Sequence, residues 1–467
     1  MIMNKHSSSF RDPSGFIFYK DTVLYRAVTK SYAEHYDLLM QSGLFTVLRE
    51  KEYIIPHEEC AIENFPELSD CYKVIKPFYL PFITYPYEWC FSQLKDAALL
   101  TLKIQRIALK HDMVLKDASA YNIQFYQGKP VFIDTLSFEK YTEGNPWIAY
   151  RQFCKHFLAP LLLIKYTDIR LISLLKNYID GIDLDLAVKL LPLKAKIKPS
   201  IFMNLCVQTY YSKKYEDKDI NFSKTVKIPK KKLLQMNEQL QDLISSLNIS
   251  SANTEWGNYY AFTNYDEIAF KSKTDIVRSF IEQIKPETLW DLGANNGHFT
   301  RIAAETGINS LAFDIDFDAC EKNYHYIKQY GLKTLLPVCF DLTNPSPSIG
   351  FANEERFSLY KRTHPDCIMA LALIHHLAIS NNVPLELIAQ YFSRLATFLL
   401  IEFVPKTDSQ VQKLLKTRED IFPFYSFEGF EEAFQKYYEI LKVSSVENSE
   451  RKLYLMKKKQ LLSYANE

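Results

Sequence analysis

The spacing of apolar residues changes along the chain. Up to about Ile148, short runs such as Gly15-Phe-Ile-Phe-Tyr-Lys and Thr22-Val-Leu-Tyr-Arg have the length and composition of strands, while Ser92 to His111 carries apolar residues at helical spacing. This pattern predicts an α+β unit. From about Ala149 to Tyr211, Leu, Ile and Lys recur at helical spacing, and Asp180-Gly-Ile-Asp predicts a break between helices. The stretch most simply completes an N-terminal domain spanning 1–211. Ser212 to Lys232 then carries eight lysines against three acids, the texture of a solvated linker. Leu233, Met236, Leu240, Leu243, Ile244 and Leu247 follow at helical spacing, predicting an amphipathic helix that leads into the last domain. Linker and helix together occupy 212–252.

Beyond residue 253 the pattern alternates regularly. Five apolar runs, Thr288–Leu292, Ser310–Asp314, Leu335–Phe340, Asp366–Leu373 and Phe398–Phe403, are separated by helical stretches and end in or beside polar residues. Such alternation predicts an α/β domain with a mostly parallel sheet over 253–467, and parallel sheets bind ligands at the carboxyl ends of their strands.

Composition narrows the picture. A length of 467 residues favours two domains, and 47% hydrophobic with 24% charged residues is ordinary for a globular protein. The net charge of +1 argues against a surface built to neutralise nucleic-acid phosphates. None of the eight cysteines pairs at C-x-x-C spacing. The start of the chain is polar, and the longest apolar run, Phe157 to Leu175, is interrupted by Lys165, Asp168 and Arg170. A cytoplasmic protein with no export signal and no membrane span is therefore expected.

The chemistry concentrates after the first strand of the last domain. Asp291 is followed by Gly293 and Gly297, then by a run compatible with a helix, so a strand, a tight turn and a helix N-terminus are expected in that order. Glycine is required where backbone passes against a ligand or takes positive φ. The second strand ends at Asp314, 23 residues beyond Asp291, near the spacing at which an acid meets ribose hydroxyls. With Asp341 after the third strand, these residues resemble the class I S-adenosylmethionine-dependent methyltransferase family, Asp291-Leu-Gly-Ala-Asn-Asn-Gly standing as its first motif. The resemblance covers about 200 residues. It implies S-adenosylmethionine as cofactor, with Asp291 near the methionine amino group, Gly293 and Gly297 lining the cofactor, Asp314 on the ribose with Asp316 as a second contact, and Asp341 near the adenine.

Two departures stand out. Asn295 replaces a middle glycine, and Ser393-Arg-Leu-Ala-Thr runs straight into the fifth strand where a glycine pair is common. Asn tolerates left-handed backbone, so the turn survives. A dinucleotide site would instead prefer Gly-x-Gly-x-x-Gly.

Methyl transfer is an in-line displacement, so alignment carries most of the burden, and a base serves only an acceptor that holds its proton tightly. His375 and His376, after the fourth strand, read either as a general base for a hydroxyl or, preferably, as residues that fix the turn. Glu402, near the end of the fifth strand, either orients the acceptor or caps the next turn. Trp256, Tyr259, Tyr260 and Tyr265 read as packing more readily than as a lid. The acceptor stays open, with an oxygen preferred because no Asn-Pro-Pro-Tyr motif follows the fourth strand.

A second constellation lies in the N-terminal half. Asp117, Asn122 and Asp134 occur in the order D-x-x-x-x-N and then D at a strand end, which resembles the catalytic loop and metal-binding strand of protein-kinase-like phosphotransferases. The resemblance implies Asp117 as proton acceptor and Asn122 and Asp134 as magnesium ligands. It departs in having no glycine-rich phosphate loop, no Val-Ala-Ile-Lys strand, and Thr135-Leu in place of Phe-Gly. Arg26 stands in for the lysine, with Glu34 as its expected partner. A methyltransferase whose N-terminal domain recognises the acceptor is the leading reading. A phosphotransferase and a non-catalytic two-domain adaptor are the alternatives.

Overall fold

A computed structural model describes residues 3–207, 209, 227–249, 267–416 and 419–460. The chain forms two compact units, Met1–Ser250 with Ser348–Phe357, and Ser251–Pro347 with Ser358–Glu467.

In the first unit, β1 (Met3–Lys5), β2 (Gly15–Lys20), β3 (Val23–Thr29), β4 (His57–Cys60) and β5 (Cys71–Pro77) make an antiparallel sheet in the order β1-β2-β3-β5-β4. Tyr32 and Tyr36, at and within the helix Ala33–Gln41, pack with Val28 of β3 and Ile75 of β5. The predicted central helix runs Phe91–Lys110, and the Gln93 side chain accepts from the Cys90 backbone N–H at 2.9 Å, satisfying a donor at its start. Two small antiparallel ribbons follow, β6 (Met113–Leu115) with β9 (Phe138–Lys140), and β7 (Ile123–Tyr126) with β8 (Lys129–Phe132). The expected break after the next helices falls at Gly181, whose φ is +84°.

Two features of this unit differ from the expected layout. The amphipathic helix, Lys230–Ser246, is an integral part of the first unit, packing on Phe91–Lys110. It buries Leu233, Leu240 and Ile244 along with Asn237, whose Nδ2 donates to the Leu102 carbonyl at 3.1 Å. The segment Ser348–Phe357, read in sequence as part of the last domain, also folds here. Arg11 donates to the buried Glu355 carboxylate at 2.9 to 3.2 Å, Arg356 lies 4.2 Å over the Tyr121 ring, and the Phe357 N–H donates to Tyr85 Oη at 2.7 Å.

The second unit is a seven-stranded sheet. All five expected strands are present: β10 (Thr288–Leu292), β11 (Asn309–Asp314), β12 (Leu335–Cys339), β13 (Cys367–Ala370) and β14 (Phe398–Phe403). They are joined by β15 (Tyr438–Ser445) and β16 (Lys452–Lys458) in the order β12-β11-β10-β13-β14-β16-β15. β10 to β14 pair in parallel, whereas β16 is antiparallel to both β14 and β15. Leu289, Met369, Leu400 and Leu455 of the sheet pack with Val277, Phe280 and Phe299 of the neighbouring helices. The chain runs outward from β10 through β11 to β12, then returns to the other side of β10 at β13. Strand order therefore reverses between β10 and β13, the position where open α/β sheets form a ligand crevice. Among the described residues, no helix is long and apolar enough to cross a membrane.

Candidate functional site

The turn after β10 is tied to the neighbouring strand. Gly293 and Ala294 both donate their N–H to the Phe313 carbonyl of β11 at 2.9 Å, and Gly293, Asn295 and Gly297 all take left-handed backbone, with φ of +78°, +51° and +78°. Asparagine is among the few other residues that adopt this conformation readily, which accounts for Asn295. The helix His298–Ala304 begins directly after Gly297. An added Cβ on Gly297 would lie 2.5 Å from the side chain of buried Asn323, and one on Gly293 would lie 3.1 Å from Leu373. Leu373, half-buried, thus roofs the turn from the β13 side.

Of the acids expected around this turn, Asp314 bonds to it directly. Asp314, at the end of β11, turns its carboxylate toward the turn: Oδ2 accepts from the Asn295 N–H at 2.7 Å and Oδ1 from the Asp316 N–H at 2.8 Å. Asp316 caps the helix Phe317–Tyr330 through Oδ1, while its buried Oδ2 has no hydrogen-bond partner among the described residues. Asp291 is buried and accepts from Thr300 Oγ1 at 2.5 Å. Asp341 lies on the same rim but closes its own turn, Oδ1 accepting from the N–H and hydroxyl of Thr343.

Burial raises Asp291 to about 7, with Thr300 opposing and Asp314 adding to the rise; burial also raises Asp314 to about 6, against the backbone donors that hold it. The sign of the pH effect follows. Between about pH 4 and 7 the folded protein retains protons that the unfolded chain has released, so these acids make stability fall as pH rises through that window and level off above it. Urea unfolding at a series of pH values should show this slope in the ligand-free protein and a shallower one in Asp291→Asn. Identical slopes would count against it.

On the β13 side, His375 is fully buried, and neither ring nitrogen has a hydrogen-bond partner among the described residues. Its ring centre is 4.1 Å from that of His376. Burial pushes His375 well below the ordinary histidine value, with His376 next in effect, and lowers His376 to about 4. Both are neutral imidazoles near pH 7. Glu402 of β14 is also fully buried, flanked by Lys273 Nζ at 2.6 Å and Arg451 at 3.5 Å; Arg451 donates in turn to Asp408 at 2.7 Å. Burial lowers Lys273, and the Glu402 charge opposes the drop. Sequence reading missed Lys273, Arg451 and Asp408. One signal was available: Lys273 falls in register with Ala269 and Val277 on the buried face of the helix Glu267–Ile284. Trp256, Tyr259, Tyr260 and Tyr265 lie outside the described residues.

In the first unit, the ribbons gather Asp117 after β6, Asn122 before β7 and Asp134 after β8. Asp134 accepts from Arg26 at 2.5 Å, from the Leu136 N–H at 3.0 Å and from Ser137 Oγ at 2.7 Å. Asn122 Nδ2 donates to the same Ser137 hydroxyl at 3.2 Å. Burial would push Asp134 up, but Arg26 and these hydrogen bonds hold it below its ordinary value; Asp117 is raised by burial and by Asp134. Arg26 thus pairs with Asp134. The expected partner Glu34 instead accepts from Lys140 on the surface. Among the described residues no cluster of His, Cys, Asp or Glu has a metal-holding arrangement.

The fold and site define a Rossmann-like α/β unit with an acid-lined glycine turn at its topological switch point, joined to an α+β unit. No family model matches the chain. It is 33% identical over 464 residues to the nodulation protein NoeA of Rhizobium meliloti (strain 1021), covering 97% of this chain and 96% of that protein, and it belongs to the same family. It is also similar to magnesium protoporphyrin IX methyltransferase (ChlM) from Synechocystis PCC 6803 with bound SAM, at 13% identity over 44% of this chain and 89% of that one, with a TM-score of 0.31. The corresponding values for the N-methyltransferase NodS from Bradyrhizobium japonicum WM9 are 9%, 41%, 98% and 0.32. For the bifunctional kinase-methyltransferase WbdD they are 12%, 47%, 46% and 0.31.

Proposed function

We propose that the second unit binds S-adenosylmethionine at the Gly293–Gly297 turn and transfers its methyl group to an acceptor. The observation that carries this reading is the direction of Asp314: its carboxylate faces the turn, and two residues on, an Asp316 oxygen is buried without a hydrogen-bond partner among the described residues. A ribose brings two hydroxyl donors, and a carboxylate that already accepts one backbone N–H per oxygen retains lone pairs for them. A ligand ammonium group close to Asp291 would favour the charged carboxylate that burial disfavours. Leu373 must swing away from Gly293 for a ligand to lie along the turn, a rotation within the ordinary rotamers of leucine.

When bound, the cofactor supplies an electrophilic methyl on a sulfonium. The chain's residues hold it and align the acceptor. At about 4, His376 is too weak a base to take a proton efficiently near pH 7, and the buried ring of His375 is shifted in the same direction. This supports the reading in which the pair fixes the loop after β13, and Glu402 acts through Lys273 and Arg451 as a positioning residue. An acceptor oxygen that is already ionised, such as a carboxylate, fits these neutral imidazoles. Calorimetry should detect S-adenosylhomocysteine binding that Asp291→Ala weakens by about tenfold or more. No binding to the wild-type chain at millimolar ligand would reject the proposal.

The convergence of Asp117, Asn122 and Asp134 supports a second reading, in which the first unit is kinase-like. The Arg26–Asp134 pair occupies a carboxylate that a magnesium ion would need, so we propose a recognition domain in preference to an active phosphotransferase. ATP with magnesium should leave the melting temperature unchanged, whereas S-adenosylhomocysteine raises it by several degrees. A rise with ATP alone would restore the phosphotransferase reading.

A further inference from the structure

The helical end of the first unit has a two-faced surface with no part in the reading above. Between Leu184 and Val207 the chain forms the helices Leu184–Leu190, Leu193–Lys196 and Pro199–Ile201 and a wider turn, Phe202–Val207. Leu184, Ala187, Leu191, Ala195, Ile201 and Leu205 point inward and are buried. Leu193 at 74%, Ile197 at 71%, Met203 at 59% and Phe202 at 49% exposure point outward. These four line a shallow groove of about 620 Å³. Single exposed apolar residues are common on soluble proteins, but four large ones within eleven positions form a patch of the kind that marks an interaction surface.

The charged residues around the patch are mostly lysines. Lys194, Lys196 and Lys198 alternate with the exposed Leu193 and Ile197, and between residues 184 and 207 the only acid is Asp185, against four lysines. Lys189 pairs with that acid at 3.5 Å, while Lys198 donates to Tyr166 Oη at 2.9 Å.

We infer that this face docks on an anionic lipid bilayer. The charge pattern separates a bilayer from a protein groove as occupant. In a protein groove, lysines placed directly beside the apolar tips would be stripped of water without partners. At a bilayer surface the tips enter the acyl boundary, and the lysine stems extend their ammonium groups to the phosphate layer. Several lysines near an anionic leaflet add attraction that falls off within a Debye length. The contact is peripheral, consistent with no described helix being able to span a membrane.

Vesicle flotation of the full chain tests this. Wild-type protein should float with vesicles holding about a third phosphatidylglycerol and at least about tenfold less with pure phosphatidylcholine, with binding weakened as salt rises toward about 0.5 M. Leu193→Asp with Ile197→Asp should reduce binding about tenfold or more, and Lys194→Glu with Lys196→Glu should remove the preference for anionic vesicles. All four positions are away from the core, so unchanged thermal melts are expected. The inference is overturned if wild-type protein ignores anionic vesicles or binds both kinds equally, or if either variant pair floats as wild type does. It is also overturned if light scattering shows a dimer that Leu193→Asp dissolves while vesicles are ignored.

Discussion

Gly297→Val is expected to abolish S-adenosylhomocysteine binding and to destabilise the protein by about 2–6 kcal/mol, which for a unit of this size lowers its melting temperature by roughly 4 to 24 °C. Two independent costs combine. The backbone at position 297 has φ of +78°, and a β-branched residue held there is strained by about 1–3 kcal/mol. The first side-chain carbon would also fall 2.5 Å from Nδ2 and 2.6 Å from Oδ1 of Asn323, inside the packed face of the helix Phe317–Tyr330. Overpacking of this kind costs about another 1–3 kcal/mol. Because Gly297 opens the helix His298–Ala304, any relief must come from moving the turn that Asp314 holds, and binding is lost with it. Gly297→Ala, combined with Asn323→Ala to clear the space, should recover part of the stability but not the strain. Calorimetry and thermal melts report the two losses separately, and a Gly297→Val protein that binds normally would refute the role given to the turn.

The second large effect concerns Lys273 and Glu402. Lys273→Met should cost about 3–5 kcal/mol, since it takes from the buried Glu402 carboxylate a cation at 2.6 Å, while Arg451 stands farther off at 3.5 Å. Glu402→Leu should cost less: Lys273, already lowered by burial, can shed its proton and become neutral. The double variant Lys273→Met, Glu402→Leu should be more stable than Lys273→Met alone, because it leaves Arg451 paired with Asp408 and puts apolar atoms where two charges had lost their water. Urea denaturation of all four proteins gives the coupling directly. Losses that merely add would show that the pair does not act as a unit.

The sheet was readable because β10 to β14 are short apolar runs that end at polar residues, a signal contained within each segment. β15 and β16 were not. β15 is an edge strand with mostly exposed side chains, so Tyr438 to Ser445 lacks a sustained apolar run, and β16 pairs across a turn of polar residues. The glycine turn and its two acids were likewise visible, since Asp291, Gly293, Gly297 and Asp314 lie within a span of 24 residues. The Lys273–Glu402–Arg451 network was hidden by distance along the chain: 129 residues separate the first pair. Spacing rules describe neighbours within an element and have no purchase on partners that only the tertiary fold brings together. The same holds for Arg26, whose nearest acid in sequence is not the one it meets, and for the helix Lys230–Ser246, whose periodicity shows that it has an apolar face but not which unit that face covers.

The placement of Ser348–Phe357 bears on how the gene can be cut. The polypeptide leaves the first unit after Ser250, re-enters it for ten residues, and departs again before Ser358. A recombinant fragment stopping at residue 250 would lack Glu355 and Arg356, and with them the 2.9 Å Arg11–Glu355 pair and the guanidinium over the Tyr121 ring. The N-terminal half is therefore not a self-sufficient cassette: fission of the reading frame at its lysine-rich stretch would leave Ser348–Phe357, and with it most of the helix Lys230–Ser246, on the product that carries the second unit.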